Sequence, residues 1–260
     1  MQAQSFLQLM QWGPNGWLDE MVFGTGLTFL VAFVSFLFGL VFGVGAAWAK
    51  IGGGVILRRV AAGYTVVFRG VPDLLVIYLF YFGGGVALAA IAQALFDYDG
   101  FVALPGFLVA TLAIGLVSGA YQTEVIRGAW NAVPQVEIEA ARAFGLSGLT
   151  LFRRIIAPQV LRYAVPGMGN IWQLVLKESA LVAVVGLTVH FAEIRIGDVL
   201  LFHEIRFSDL LRQAYVAAGS TRQPFPFYFT CVLLYLAMTS LSTVFFRRAE
   251  WWATRGLDPA

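Results

Sequence analysis

Long uncharged stretches are the main pattern of hydrophobic and polar positions along this chain. Four runs lack any Asp, Glu, Lys or Arg, namely Met21 to Ala49, Leu74 to Phe96, Gly100 to Thr123 and Gln223 to Phe246. Each is longer than the roughly 20 residues that a helix needs to cross the hydrocarbon core of a bilayer. A fifth run, Tyr163 to Ala192, is interrupted only by Lys177-Glu178 and His190. The apolar residues are continuous rather than alternating, which favours helices over a β-barrel.

One membrane domain accounts for the whole chain of 260 residues. Only 12% of the residues are charged and the mean hydropathy is +0.78, whereas a soluble domain carries about 25% charged residues. We therefore predict an all-α membrane protein over residues 1–260, with about five transmembrane helices. The predicted helices are Val22–Ala49, Tyr64–Leu88, Phe101–Arg127, Val165–Thr188 and Phe225–Arg247.

The placement of Lys and Arg sets the predicted orientation, because these residues concentrate in cytoplasmic loops. The segment before Met21 has none, and neither has the loop around Asp97 and Asp99. The first and third loops and the C-terminal tail hold Lys50, Arg58, Arg59, Arg127, Arg142, Arg153, Arg154, Arg162, Arg247, Arg248 and Arg255. This alternation predicts an outer, periplasmic N-terminus and an inner, cytoplasmic C-terminus, as five spans require.

The long loop of about 191–222 departs from this rule, because it holds four arginines yet is predicted to lie outside. Its apolar and charged residues alternate with a roughly helical period. The pattern predicts one or two amphipathic helices on the outer face. Packing at the membrane surface is the preferred interpretation, and docking of an external partner is the alternative.

The third loop, about 134–158, combines features of a helix that fits a groove. Pro134 precedes the predicted short helix Gln135 to Ala143, a position that proline favours. Small residues, Ala140 and Ala141 among them, would let another surface approach closely, and Ile138, Ala141 and Phe144 are predicted to lie near one face. Gly145 then permits a sharp turn that a residue with a Cβ atom would resist. An ordinary amphipathic inner loop is the alternative.

The spacing of residues in this loop resembles a known element. Glu139-Ala140-Ala141 is followed by Gly145, Ile155 and Pro158, which resembles the EAA loop of the permease subunits of bacterial ABC importers. The segments Phe68–Leu75, Gly119–Ala129 and Pro166–Leu181 resemble helices of the polar amino acid permeases, and Ala157 replaces the leucine usual before the loop's proline. The chain is similar above all to the Q-type permeases of histidine/lysine/arginine/ornithine and octopine/nopaline importers.

This resemblance implies a fold, a function and a set of partners. It implies the type I importer fold in the inner membrane, and uptake of a polar, cationic amino acid or opine. The partners would be a dimer of ABC ATPase subunits, a second permease (a paralogous M-type subunit or a second copy), a periplasmic solute-binding protein and membrane lipid. Glu139 would make a polar contact with the ATPase, Ala140 and Ala141 would permit close docking beside Phe144, and Gly145 would make the turn.

ATP chemistry is not expected in this chain. A Walker A motif needs a lysine followed by Ser or Thr, but Lys50 is followed by Ile51 and Lys177 by Glu178. The resemblance therefore implies that ATP and Mg²⁺ are bound by the partner ATPase, and that the chain is not itself an enzyme. No cofactor or metal site is predicted, because the histidines of the outer loop lack a third convergent ligand. No nucleic-acid-binding patch is predicted either, because the predicted membrane topology accounts for the positions of the arginines.

Charged residues within the spans are the candidates for the solute path, because each costs roughly 2.5–3.5 kcal/mol to insert without a partner. Glu178 and Lys177 are adjacent and should point to different faces, so Glu178 could meet a cation or Lys177 a carboxylate. Asp73 is a further candidate, with Arg69 four residues before it.

Glu124 is also a candidate for the solute path, but for Glu124, Arg69 and Asp73 self-pairing near the inner interface is the preferred interpretation. Arg69 with Asp73, and Glu124 with Arg127, have spacings that let each pair meet on one helix face. The solute could also be a neutral or acidic amino acid. A passive channel would share the hydropathy but needs no docking helix, and an intramembrane enzyme would need a catalytic set that the spans do not contain.

Overall fold

The computed structural model describes residues 5–84, 86–87, 90, 93–94, 106–184, 189–190, 195–196, 199–200 and 206–254. Several predicted features lie outside these residues, namely the helix ends at Leu88, Phe101 and Thr188, the loop around Asp97 and Asp99, and one of the two histidines, His203.

Helices form most of the described chain. In order they are α1 (Phe6–Leu9), α2 (Leu18–Gly52), α3 (Val55–Gly70), α4 (Asp73–Tyr78), α5 (Gly106–Ala132), α6 (Gln135–Ala143), α7 (Gly148–Leu151), α8 (Ala157–Glu178), α9 (Leu181–Val184), α10 (Leu210–Thr221) and α11 (Pro224–Thr254). A π-helical turn continues α4 over Leu79–Gly83, and another continues α7 over Phe152–Ile156.

The described part of the predicted outer loop holds one helix and short strands. Helix α10 confirms one amphipathic helix in this loop. The strands before it are β1 (Val189–His190), β2 (Arg195–Ile196), β3 (Val199–Leu200) and β4 (Arg206–Phe207). β1 pairs with β4 and β2 pairs with β3, both antiparallel. The described part of the loop before α10 therefore forms hairpin-like pairs rather than a second helix.

The prediction of an all-α membrane fold is confirmed. Helices α2, α5 and α11 are each long and apolar enough to cross a membrane, and α3 with α4 and its π-helical turn passes the same test as a bent pair. Helix α8 has 22 residues, about 33 Å at 1.5 Å per residue, but Arg162 and Gln173 make it less apolar. It packs between α5 and α11 but does not pass the test that the other spans pass, so the fifth span stays a prediction.

The second predicted span, Tyr64–Leu88, is wrong as a single helix. α3 ends at Gly70 and α4 begins at Asp73, and the helix axis bends by 107° between them. Pro72 explains the break, because proline lacks the N–H of a helical hydrogen bond and disfavours helical geometry in the residue before it. Val71 accordingly has extended backbone angles, with φ −94° and ψ 136°.

Glycines bring α2 and α5 into close contact along the centre of the molecule. A Cβ atom on Gly39 would lie 2.2 Å from Ser118 Oγ and 2.7 Å from the backbone oxygen of Gly115. One turn along, a Cβ atom on Gly43 would lie 2.8 Å from Cβ of Gln122. Small residues spaced four apart let backbones approach in this way in membrane bundles.

Two apolar cores hold the remaining helices against this pair. In the central core, Trp172 of α8 is buried and its ring lies edge-on to Phe29 and Phe36 of α2, with centroids 5.4 and 5.6 Å away. At the outer end, Leu210 of α10 packs with Phe227 of α11, and its backbone N–H donates to Thr28 Oγ1 of α2 at 3.0 Å. Helix α10 is thus anchored to two membrane helices.

The outward surfaces of the helices are apolar, as a bilayer requires. Val41 and Trp48 of α2 are 71% and 68% exposed, and Leu241 of α11 is 73% exposed. Backbone polar groups are satisfied within the helices, so these side chains can face lipid without cost.

Candidate functional site

Helix α6 forms in the third loop at the predicted position. Pro134 precedes it with extended angles. Its end is a Schellman motif, because the N–H of Gly145 donates to the backbone oxygen of Arg142 at 2.9 Å and that of Leu146 donates to Ala141 at 3.0 Å. Gly145 has φ +82°, a conformation that costs other residues about 1–2 kcal/mol. The predicted sharp turn is therefore present.

The two faces of α6 differ from the prediction in one respect. Ile138 and Ala141 are buried together against Leu151 and Ile156 of the same loop. Ala141 thus packs within this chain, and its position does not fit the predicted contact with an ATPase. Phe144 was predicted near the face of these two residues, yet it is 89% exposed, because it follows the last helical residue and points away from the loop.

The exposed face of α6 carries Glu139 and Ala140, followed by Phe144. An exposed phenylalanine beside a small residue and a carboxylate is suited to insertion into a groove of another protein. Gln159 of α8 donates to Glu137, an exposed residue of α6, at 2.6 Å, which ties α6 to α8.

Glu178 is the best-formed candidate for the solute path. It is the last residue of α8 and only 4% exposed. No hydrogen-bond donor of the described chain reaches either carboxylate oxygen. The carboxyl group of Asp73, the first residue of α4, lies within side-chain hydrogen-bonding range, and its charge acts directly on Glu178. Two ionised carboxylates in a buried site repel each other, so the pair either shares a proton or takes up a cation. The adjacent Lys177 is exposed, so the prediction that the two residues point to different faces is confirmed.

Arg69 and Tyr121 complete a group around Glu178. The Arg69 guanidinium lies 5.3 Å from the centre of the Tyr121 ring, within cation–π range. The charges of Asp73 and Glu178 also interact electrostatically with the Tyr121 hydroxyl. Because Pro72 breaks the helix, Arg69 and Asp73 lie on different helices, and no ion pair joins them within the described residues. We name Arg69, Asp73, Tyr121 and Glu178 the solute-path group.

Sequence reasoning did not single out Tyr121. A signal was available, because it stands one helical turn before Glu124 in a segment that resembles the permease family. Its ring could not be placed beside Arg69 without knowledge of how α3 and α5 pack.

Glu124 is engaged elsewhere. Arg127 donates to its Oε2 at 2.7 Å, which confirms the predicted pairing, and Lys50 Nζ lies 2.5 Å from its Oε1. Lys50 also donates to Thr65 Oγ1 at 2.5 Å. Both carboxylate oxygens of Glu124 are thus occupied, so its position does not fit the predicted solute path. Lys50, 74 positions away along the chain, is the partner that the sequence did not reveal.

Two crevices in the molecule do not suit a polar solute. One of about 530 Å³ is lined by residues such as Phe33, Trp172 and Leu241, and one of about 770 Å³ by residues such as Trp48, Trp130 and Phe246. Their walls are almost entirely apolar side chains. The solute-path group is therefore a better candidate for recognising charge.

A family model described as "Binding-protein-dependent transport system inner membrane component" matches residues 35–250. The octopine transport system permease protein of Rhizobium radiobacter is 50% identical to this chain over 97% of its length and 98% of the relative. The nopaline permease protein of Agrobacterium fabrum is 43% identical over 96% and 98%. The histidine/lysine/arginine/ornithine permease protein of Salmonella typhimurium is 35% identical over 84% and 86%.

Solved structures have the same fold. An amino acid ABC transporter crystallised with histidines superposes with a TM-score of 0.73, at 26% identity over 96% of this chain and 99% of the other. An inward-facing methionine ABC transporter gives a TM-score of 0.60 at 18% identity over 92% and 96%.

Proposed function

We propose a solute class for this chain, which belongs to the family of binding-protein-dependent transport system inner membrane components. As a polar amino acid permease of the type I importer fold, it is an ABC importer subunit of the inner membrane. Hydrolysis of ATP takes place on a separate subunit. The proposed solute is a cationic amino acid or opine that carries a guanidinium group, as arginine and octopine do.

The observation that carries this proposal is the buried pair of acids, Glu178 and Asp73, to which no basic side chain of the described residues is hydrogen-bonded. Two acids at one point suit a guanidinium, which can donate several hydrogen bonds to carboxylate oxygens at once. Arg69 lies on the exposed side of the same group and can receive a carboxylate of the solute. The names of the 50% and 43% identical relatives, which specify octopine and nopaline, support the same class.

The coupling role is assigned to α6. Glu139, Ala140 and Phe144 are exposed on it and would enter a groove of the ATPase, while Gly145 sets the exit of the chain from the helix. Two ATPase subunits with ATP and Mg²⁺ would serve two permeases. The second permease would be a paralogous M-type subunit or another copy of this chain, and a periplasmic binding protein would deliver the solute.

The partners can be identified directly. A tagged form of the chain would be purified in mild detergent from its native cells, and the proteins that co-purify with it would be identified by mass spectrometry. An ATPase with a Walker A motif and a second permease sequence are expected for the heterodimer, and an ATPase without a second permease for the homodimer. A chain that purifies alone, without any ATPase, would contradict the coupling role.

Uptake by the complete importer in proteoliposomes tests the solute class. Octopine, nopaline, arginine, ornithine and glutamate would be offered separately. The guanidinium solutes are expected to enter best and glutamate least. Preferential uptake of glutamate or of a neutral amino acid would overturn the proposal and leave the rest of the machinery intact.

Replacing Glu178 by Gln tests its role. Loss of a charge-assisted hydrogen bond costs about 1.5–3 kcal/mol, so uptake of arginine or octopine at low concentration should fall about tenfold or more. Lys177→Gln changes the neighbouring, exposed position and should have little effect. Unchanged affinity and rate in Glu178→Gln would remove this residue from the site, and a loss confined to Lys177→Gln would favour a carboxylate contact instead.

A further inference from the structure

A cluster of charged and polar side chains joins three membrane helices near their inner ends. It consists of Lys50 at the end of α2, Thr65 of α3, and Glu124 and Arg127 of α5, and we call it the inner polar cluster. The Lys50 ammonium donates to Thr65 Oγ1 and Glu124 Oε1, both at 2.5 Å. Arg127 donates to the other oxygen of Glu124 through Nη2 at 2.7 Å and Nε at 3.0 Å.

Most of this cluster is removed from water. The side chains of Lys50 and Glu124 are 12% and 21% exposed. Burying an ion pair costs desolvation free energy, which offsets much of the attraction between the two charges. Apolar residues of similar size would often stabilise the fold at least as well. What such a pair provides is a fixed geometry, because its energy depends steeply on the positions of both partners. One ammonium group here fixes three helices relative to each other.

The cluster stands between α6 and the solute-path group. Helix α5 ends at Ala132, and α6 begins at Gln135, so a displacement of α6 reaches the α5 segment that holds Glu124 within a few turns. In the other direction, Thr65 lies one turn before Arg69 on α3, and Arg69 stacks on Tyr121 of α5. Tyr64 adds a further tie by donating to the backbone oxygen of Leu116 at 2.6 Å.

We infer that Lys50 and Glu124 are positioning residues that make the inner ends of α2, α3 and α5 move as one body when the ATPases pull on α6. Motion of α6 then displaces Arg69, because α3 cannot stay behind. This inference rests on the proposed function, in which α6 receives the force and the solute-path group holds the solute. Without this ion pair, ATP hydrolysis continues, but less solute is moved for each ATP that is hydrolysed.

Reciprocal charge exchange tests this inference in the complete importer, reconstituted with its ATPase and binding protein. Arginine and octopine uptake and ATP hydrolysis would be measured together for Lys50→Glu, Glu124→Lys and the double exchange. Each single variant should lower the solute moved per ATP by on the order of tenfold, with hydrolysis retained. The double exchange should restore most of the ratio, since Arg127 is 43% exposed and can turn away from the new lysine. Arg59→Glu makes the same charge change at an exposed position of α3 and should leave the ratio unchanged.

The outcomes separate this inference from the proposed function. A wild-type importer that takes up neither arginine nor octopine contradicts the proposed solute, and the inference is then read from the factor by which the binding protein stimulates hydrolysis. Single variants with a wild-type ratio, or a double exchange as uncoupled as the singles, would overturn the inference. If the charge-reversed chains do not assemble with the ATPase, Lys50→Met with Glu124→Gln removes both charges. A normal ratio in that assembled variant would likewise overturn it.

Discussion

Asp209 is a buried carboxyl group at the outer end of the molecule, just before α10. It is 2% exposed, and neither oxygen has a hydrogen-bond partner within the described chain. Arg212 on its own helix, and Cys231 and Tyr235 on α11, are the titratable groups whose charges interact with it. Burial raises the pKa of Asp209 to about 7, against the opposing influence of the Leu211 and Arg212 backbone amides. A single residue thus makes the anchoring of α10 sensitive to protons near neutral pH.

The sign of this dependence follows from the direction of the pKa shift. The folded protein holds the Asp209 proton more tightly than the unfolded chain does, so the residue's contribution is complete below about pH 4 and is lost as pH rises through about 7. Each unit of pKa shift corresponds to about 1.4 kcal/mol. We expect the melting temperature of the detergent-purified chain to fall by several degrees between about pH 5 and pH 7, and to level off above that. Asp209→Asn should flatten this dependence and Glu137→Gln, an exposed control, should not. An unchanged slope in Asp209→Asn would contradict the prediction.

Gly145 is the residue on which the exit from α6 depends. Space around it is open, so a side chain there meets no clash and the cost lies in its φ of +82° alone. Gly145→Asp should insert in the membrane normally but abolish uptake, because the helix end shifts and a negative charge is added beside the docking face. Gly145→Asn, which tolerates the left-handed conformation better, should retain part of the activity. Membrane fractionation and uptake measure both properties, and normal transport in Gly145→Asp would argue against a coupling role.

At the scale of elements, the sequence predicts what depends on local composition. The continuous apolar runs locate α2 to within four residues at each end, whereas α5 and α11 end five and seven residues beyond their predicted ends. Pro134 with Gly145 locates α6. The break between α3 and α4 was missed because a count of apolar residues does not register that Pro72 ends a helix. Helix α8 begins at Ala157, eight positions before the predicted Val165, because its first turns are amphipathic and carry Arg162. The meeting of Glu178 with Asp73, and of Lys50 with Glu124, depends on packing between distant segments, which no local pattern encodes.

The glycine contact between α2 and α5 makes a prediction at this scale. Gly39→Ala would place a methyl group against Ser118 and Gly115 and should destabilise the fold by about 1–3 kcal/mol through overpacking. Gly45→Ala is the matched control on the same helix, where a Cβ atom meets nothing within 4 Å, and should be neutral or slightly stabilising. Thermal unfolding of the purified variants distinguishes them, and equal melting temperatures would show that α2 and α5 can move apart without cost.

At the scale of the whole molecule, charge lies at three levels along the membrane normal. Asp209 lies at the outer end, the solute-path group within the bundle, and the inner polar cluster next to α6 at the inner end. Each level is carried by several helices, so a displacement at the inner end is passed on by rigid elements rather than by side chains alone.

Docking of the ATPase should depend on one aromatic side chain. Phe144→Ser removes the exposed ring from α6 and should weaken binding by about 2 kcal/mol or more, as loss of a central interface anchor does. Far less ATPase should then co-purify with the chain. Trp252→Ser removes a comparably exposed ring, 73% exposed, from the inner end of α11, and should leave co-purification unchanged. Equal amounts of ATPase with wild type and with Phe144→Ser would place the docking surface elsewhere.

The pairing of Lys50 with Glu124 also makes the chain suited to chemical labelling. Lys50 and Lys177 are its only lysines, and Cys231 is its only cysteine and is buried. Lys50 is shielded by its ion pair, whereas Lys177 is exposed, so an amine-selective reagent in water should modify Lys177 first among the side chains. Because Lys177 points to a different face from Glu178, the rate of its acylation in the unmodified protein reports how accessible the outward face of α8 is to water, and from which side of the membrane.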